Sequence, residues 1–364
     1  VTSVAKGEVL GPSNPRLVFI AGREGKAEDL TALGWEVFDV HDDANRIEPV
    51  SVDSGSVDLV AHRLGLGRYA ITWTVPSAEQ VGAHEIRYTY RYDGDTVDRT
   101  ARVGFEVLEG PSPPGPAYIT VAALRDEGLP CGQVSNARAQ VAIAIASQLI
   151  EHVTGRFFEP RHLTIRVNGT ENRMCLLGDP VIMVDSIALD TDPDQLGDLT
   201  VEPSNYRVFS RHLSQGLLNP DDRENPKIEF VHARDLYGIA SPVRFRPAAS
   251  FSLLSGAFPS GVQNTEIVGS FGYTEPVAGG PPWGVTPLLI QHAAKLLAFR
   301  EVRTLSNVDC RQDSRERWRI VEEKTRDQSY KLAQPRQFGS QITGDAEIDS
   351  LLTMFTRPPD LGRV

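Results

Sequence analysis

Three cysteines in 364 residues leave little for covalent or metal cross-linking. Cys131, Cys175 and Cys310 are odd in number and far apart, which excludes a disulfide framework and a C-x-x-C metal knuckle. Buried or idle thiols are the expectation. No run of about 18 apolar residues occurs, so no transmembrane helix is expected. The opening residues, VTSVAKGEVLGPSNP, lack a charged segment followed by an apolar one, and no secretory leader is expected from them. Catalytic signatures are missing too: there is no GxxxxGK[ST], no HExxH and no GxSxG. Gly65-Leu66-Gly67 lacks the third glycine and the βαβ setting of a dinucleotide site, so it reads as a turn. Basic charge is also in deficit, 37 Lys and Arg against 48 Asp and Glu, for a net −11. That balance argues against gripping DNA phosphates through counterion release, without excluding a wall of mixed or negative charge that repels phosphate and lets DNA slide past.

One acidic stretch invites a metal reading. In DTDPDQLGD, residues 190–198, Asp190, Asp192 and Asp194 are spaced as in a calcium loop. Gln195 stands where the sharp turn needs glycine, and Val201 where a bidentate Glu belongs, so a solvated acidic loop is expected. The eight histidines are scattered singly, with His292 on the polar side of its helix. No spacing singles out a carboxylate acid/base pair, although a pair formed in space stays open. The expectation is no catalytic residue, no metal and no cofactor.

The chain is long enough for two or three domains. PSPPGP, residues 111–116, cannot form regular hydrogen-bonded structure and reads as a stiff linker over 111–117. Before it, period-two alternation marks strands. Tyr69, Ile71, Trp73 and Val75 share one sheet face, as do Ile86, Tyr88, Tyr90 and Tyr92, and Val103, Phe105 and Val107. Arg87, Thr89 and Arg91 then form a polar outer face. Short strands between turn signals over residues 1–110 predict a β-sandwich.

After the linker, Thr120 can cap a helix over about 120–127 and Ser135 a second over about 135–154. On the second, Val141, Ala142, Ile145, Ala146, Leu149, Ile150 and Val153 cover more than half the circumference, more than one buried face requires. Residues 156–283 return to strands, with Asn168-Gly169 expected as a hairpin turn. Thr286-Pro287 opens a third helix over about 287–304. Residues 313–332 are highly charged, and residues 333–345 read as an extended tether. Beyond it, Asp345 can cap a short helix on which Ile348, Leu351, Leu352 and Phe355 form one apolar face.

Two resemblances order these segments. GRYAITWTVP followed by GAHEIRYTYRYDG resembles the Ig-like modules appended to phage structural proteins, with His84 where a corner tyrosine would stand. Residues 118–305 resemble the head–tail connector, or portal adaptor, proteins of tailed phages. The resemblance rests on the order of AYITVAALRDEGLP, ASQLIEHVTGRFFEP, HLTIRVNGTENRMCLLGDPVIMVDSIAL, NYRVF, NTEIVGSFGYTE and PLLIQHAAKLLAFRE. It covers about half the chain, and the Ig-like front, the longer 190–264 segment and the charged C-terminal part depart from it. The fold it implies is multidomain α+β. An N-terminal all-β Ig-like sandwich precedes a helical adaptor core, 118–312, with a β-rich insertion at 156–283. A charged helical segment and docking tail, 313–364, follow.

The function it implies is that of a non-enzymatic virion protein, assembled in the host cytoplasm and located in the neck. Such proteins form a homo-oligomeric, twelvefold ring under the portal protein, extend the DNA channel and join it to a stopper or tail-completion protein. Double-stranded DNA passes through without specific binding. The residues expected at interfaces are Val141, Ile145 and Leu149 on the long helix, and Ile348, Leu351, Leu352 and Phe355 on the terminal one. The terminal helix is expected to dock on the portal or a neighbouring subunit, against the alternative that it folds back on its own subunit. Rival readings are another phage neck or tail decoration protein built around the Ig-like module, and a cytoplasmic enzyme with an unrecognised carboxylate site.

Overall fold

The computed structural model describes residues 2–40, 49–79, 81–110, 115–129, 134–190, 199–212, 225–231, 257–306, 322–324, 329–331, 343 and 345–356. Most of the acidic stretch 190–198, most of PSPPGP, residues 232–256 of the segment expected to return to strands, most of the charged segment 313–332, nearly all of the tether 333–345, Cys131 and Cys310 lie outside the described residues. The protein is a mixed α+β chain, mostly β-sheet with few helices.

In chain order the elements begin with β1 (Thr2–Ala5), β2 (Val9–Leu10), β3 (Val18–Ile20), β4 (Gly22–Arg23), β5 (Lys26–Ala27) and β6 (Leu30–Asp39). They continue with β7 (Val50–Ser56), β8 (Arg63–Gly65), β9 (Arg68–Ala70), β10 (Trp73–Thr74), β11 (Gly82–Tyr92) and β12 (Arg99–Leu108). Helices α1 (Val121–Asp126) and α2 (Asn136–Thr154) precede β13 (Arg161–Gly169), β14 (Met174–Leu176), β15 (Val181–Leu189) and β16 (Leu199–Val201). Then come β17 (Tyr206–Phe209), β18 (Lys227–Phe230), β19 (Gly261–Phe271) and α3 (Leu288–Ser306). The described chain closes with β20 (Glu322–Lys324), β21 (Ser329–Lys331) and α4 (Ala346–Thr353).

Packing divides the chain into two compact units. One comprises Val1–Ser112, Phe157–Pro287 and Asp360–Val364; the other comprises Pro113–Arg156 and Leu288–Pro359.

In the first unit a five-stranded sheet runs β1-β12-β11-β6-β7, antiparallel except for the β1–β12 pair. Alternation along β11 turns Ile86, Tyr88, Tyr90 and Tyr92 inward and leaves Arg87, Thr89 and Arg91 on the other face, as period two requires. The inward residues join Phe19, Trp35, Tyr69, Trp73 and Phe105 in one apolar core. A second sheet runs β13-β19-β15-β5-β4, with β16 paired to β15. Its apolar side packs with β14, β17 and β18 residues around Val184, Ile187, Tyr206, Phe230, Phe258 and Phe271.

These two regions are not beads on a linker. The β4–β5 hairpin, from the N-terminal region, joins the second sheet, where the Val184 amide donates to the Gly25 carbonyl at 2.8 Å. Ile182, Met183 and Trp283 belong to the N-terminal core, Trp283 standing edge-on to Phe19 at 5.3 Å. The division at residues 110–118 is therefore not the one packing makes: residues 1–112 and 157–287 form one unit. The proline stretch marks where the chain leaves that unit.

Asn168-Gly169 is not a hairpin turn. β13 pairs with β19, up to Gly169 opposite Gly261, and β14 pairs with β18. Glycine is required at 169 for space, since a Cβ would lie 1.7 Å from the Pro259 carbonyl oxygen. Asn264 completes the corner, its Oδ1 accepting from the Gly169 amide and its Nδ2 donating to the Pro259 carbonyl.

In the second unit, α2 packs against α1, α3 and α4. The expected caps are present: Thr120 Oγ1 accepts from the Ala123 amide, and Ser135 Oγ from the Arg138 amide. Gly155 ends α2 in the left-handed conformation, φ +64°. α3 begins at Leu288, while the Thr286 hydroxyl donates to the Phe158 carbonyl.

Candidate assembly surface

Helix α2 carries two apolar stripes with different fates. Ala139, Ala142, Ile143, Ala146, Ile150 and Thr154 recur at three- and four-residue spacing and are buried among the unit's own helices. Small alanines let the neighbouring backbones come close. Ser147, on the same side, accepts from the Tyr118 amide at 3.2 Å, and the Tyr118 hydroxyl donates to Glu151 at 2.5 Å. The chain entering α1 is thereby tied to α2.

The second stripe, Val141, Ile145 and Leu149, repeats every four residues on the opposite side. Val141 is 43% exposed, Ile145 is 37% exposed and Leu149 is half-buried. Arg138, Gln148 and His152 border it and are exposed. Over half of α2 is apolar because one stripe serves its own unit while the other stays on the surface.

The terminal helix has a different outcome from the one expected. Asp345 caps α4 through Oδ1, which accepts from the Glu347 and Ile348 amides. Ile348 (1% exposed), Leu352 (0%) and Phe355 (6%) are buried, Leu351 is half-buried, and α4 packs on α3 and α2. Polar contacts fix the approach: Asp349 Oδ1 accepts from the Thr343 hydroxyl and amide, and Arg300 donates to the Thr343 carbonyl. Ile348, Leu352 and Phe355 are thus core residues of their own subunit, not a face offered to a partner. A helix of this length is marginal alone in water, and the nearest apolar surface belongs to its own bundle.

Among the described residues, acid–base chemistry has a spatial candidate that spacing did not reveal. His162 on β13 and Asp185 on β15 reach across β19 to a separation of 2.9 Å. Burial pushes the Asp185 carboxyl up, opposed by the His162 hydrogen bond and the Arg68 charge. The pair is 23 residues apart on strands that are not neighbours, so no local motif announces it. His212 is held well below the ordinary histidine range, at about 4, by burial and then by Arg211. Burial raises the Cys175 thiol to about 12, which makes it a poor nucleophile. Among the described residues no three His, Cys, Asp or Glu side chains gather to hold a metal ion, and no helix is long and apolar enough to cross a membrane. No protein-family model matches the sequence, and no curated protein does either.

Proposed function

We propose that the chain is a structural virion protein of the head–tail connector type. It forms a ring of like subunits under the portal protein, extends the DNA channel and joins it to the stopper or tail. The N-terminal region is an Ig-like module and the helical unit is the adaptor core. The ordered motifs over residues 118–305 support this reading. The observation that carries it is the second stripe of α2: Val141, Ile145 and Leu149 lie on the surface although the helix has already buried a complete face. In a closed ring of identical subunits each interface joins two different patches, so one subunit needs an apolar face of this kind beyond its own core. The acidic balance leaves duplex DNA free to pass.

The test is mass photometry of the purified protein with and without portal rings, for the native chain and for Val141→Glu with Ile145→Glu. The native chain should add to the portal as a ring, and the double variant should stay monomeric with an unchanged melting temperature. A native chain that never associates, or a double variant that assembles normally, refutes the reading. The Asp185–His162 pair favours the rival of a different class, an enzyme; a turnover abolished by His162→Ala would establish that rival instead.

A further inference from the structure

The helical unit leaves a second apolar face on its surface, on α3. Leu288, His292, Leu296 and Phe299 follow at four-, four- and three-residue spacing, which is one side of a helix. Leu288 is 76% exposed, Leu289 beside it is 42% exposed, and Leu296 and Phe299 are half-buried. Exposed leucines scattered singly are ordinary, whereas a contiguous apolar row marks a place where something docks.

The direction of this face follows from the packing of its helix. α2 and α3 pack on one another. Ala139, Ala146 and Ile150 are buried on the inner side of α2, and Ala293, Leu297 and Ala298 on the inner side of α3. The Val141-Ile145-Leu149 stripe and the Leu288-Leu296-Phe299 row lie on the far sides of the two helices. The two outer faces therefore look away from each other. A head-to-tail contact needs such a pair, since one surface must meet a different surface of the next copy and leave its own counterpart free to repeat the contact. Their lengths match: Val141 to Leu149 runs about 12 Å and Leu288 to Phe299 about 17 Å at about 1.5 Å per residue.

Charge makes the two faces complementary. Arg138 and His152 border the α2 stripe, and Arg138 makes no ion pair among the described residues. The nearest acid on that helix, Glu151, turns instead to the Tyr118 hydroxyl. The α3 row is flanked by carboxylates on both sides. Glu127, just after α1, lies 2.8 Å from Lys295, and Glu347 on α4 lies 3.6 Å from His292. Both carboxylates remain half-exposed and can accept further donors. The α3 face thus carries two carboxylates against one lysine, and the α2 face carries an arginine with no carboxylate beside it.

We infer that the α2 stripe of one copy docks on the outer face of α3 of the next copy. Val141, Ile145 and Leu149 lie along Leu288, Leu296 and Phe299, and Arg138 approaches the carboxylates that flank α3. The inference rests on the proposed reading of the α2 stripe as an assembly face and supplies its counterpart.

The experiment is cross-linking between two preparations of the full chain, both carrying Cys131→Ser and Cys310→Ser; Cys175 is buried and stays. One preparation receives Ile145→Cys and the other Leu288→Cys. They are mixed at about 1 mM, the effective concentration that neighbours share on a template, and treated with a short bismaleimide. The mixture should give at least about tenfold more linked dimer than either preparation alone, as a contact between unlike faces requires. It should exceed by the same margin a mixture of Ile145→Cys with Val60→Cys, an 88% exposed position in the other unit. Arg138→Glu in the Ile145→Cys chain should lower the yield about threefold by turning attraction into repulsion. Linkage no greater than with Val60→Cys overturns the inference. So does linkage between two Ile145→Cys chains as efficient as that in the mixture, or an unchanged yield with Arg138→Glu. The portal reading fails separately: linkage in a chain that never adds to portal rings refutes that reading and upholds this contact, whereas addition to portal without linkage does the reverse.

Discussion

Replacing Trp283 by alanine should loosen strands that lie about two hundred residues earlier in the chain. Trp283 is 7% exposed and belongs to the N-terminal core. Its ring stands edge-on to Phe19 at 5.3 Å and to Tyr88 at 6.4 Å. Its carbonyl accepts from the Thr274 hydroxyl at 2.7 Å, which holds the segment in place. Truncating a buried tryptophan costs about 3–5 kcal/mol, of which each aromatic pair accounts for about 0.5–1.5. That is a large share of the stability of any domain.

A single unfolding free energy is poorly defined for a chain of two units, so the assay must resolve them. Amide hydrogen exchange does so. In Trp283→Ala the β6, β11 and β12 amides and the β15 and β19 amides should lose protection together. If the N-terminal strands keep native protection while β15 and β19 weaken, residues 1–112 fold as an independent module and do not form one unit with residues 157–287. A fragment beginning at Ala117 tests the same point from the other side. It leaves Ile182, Met183 and Trp283 without their core partners, and it should aggregate or lose its sheet.

Three further outcomes follow. Leu352→Ala, at a fully buried position on α4, should cost the helical unit about 2–5 kcal/mol in chemical denaturation, while Met354→Ala, at a residue 67% exposed, should change it by about 0.5 or less. Gly169→Ala should destabilise by more than about 2 kcal/mol by thermal melting, because its Cβ would collide with backbone at Pro259 that cannot move aside. His212 sits near 4 when folded and near 6.5 when unfolded, so the unfolded chain takes up its proton first and stability falls as pH drops from about 6.5 to about 4. The loss amounts to roughly 3 kcal/mol at most, and the difference between native and His212→Gln melting curves across that window measures it.

Local signals were legible in the sequence and distant ones were not. Ser135, Thr120 and Asp345 act as caps because a cap needs only the next few residues. Alternation gave the inward and outward sides of β11 for the same reason. Nothing local shows that Gly22–Ala27 adds to a sheet built from residues 161–271, or that Trp283 fills a core begun at Val4. Asn168-Gly169 carries the strongest short-range hairpin signal, yet the glycine answers to the Pro259 carbonyl from a remote strand end. The surface candidates divide in the same way. Periodicity gives Val141-Ile145-Leu149 and Ile348-Leu352-Phe355 equal standing as apolar faces. Only tertiary packing separates the stripe left at the surface from the one buried at home.

That separation sets the strength of any assembly. Val141 and Ile145 are each about two-fifths exposed, so covering them and the rest of Leu149 yields roughly 1 kcal/mol apiece, about 3 in all. Association costs at least about 4 kcal/mol in lost translational and rotational freedom before side chains are ordered. Two free subunits therefore gain too little from this stripe to pair at micromolar concentration, which needs about 8 kcal/mol. A template changes the balance. Subunits held side by side on a portal ring have already lost that freedom, and each meets its neighbour at an effective concentration in the millimolar range. On the proposed reading the stripe serves as a closing contact between neighbours already placed, and the chain remains monomeric until a ring is offered to it. Strengthening the contact without a template is then the discriminating manipulation. Substituting leucine for Arg138 and Gln148, which border the stripe, should bring about self-association in the absence of portal, detectable by sedimentation velocity. If the enriched stripe leaves the chain monomeric at every concentration, the face does not match its neighbour, and the ring must close through another surface.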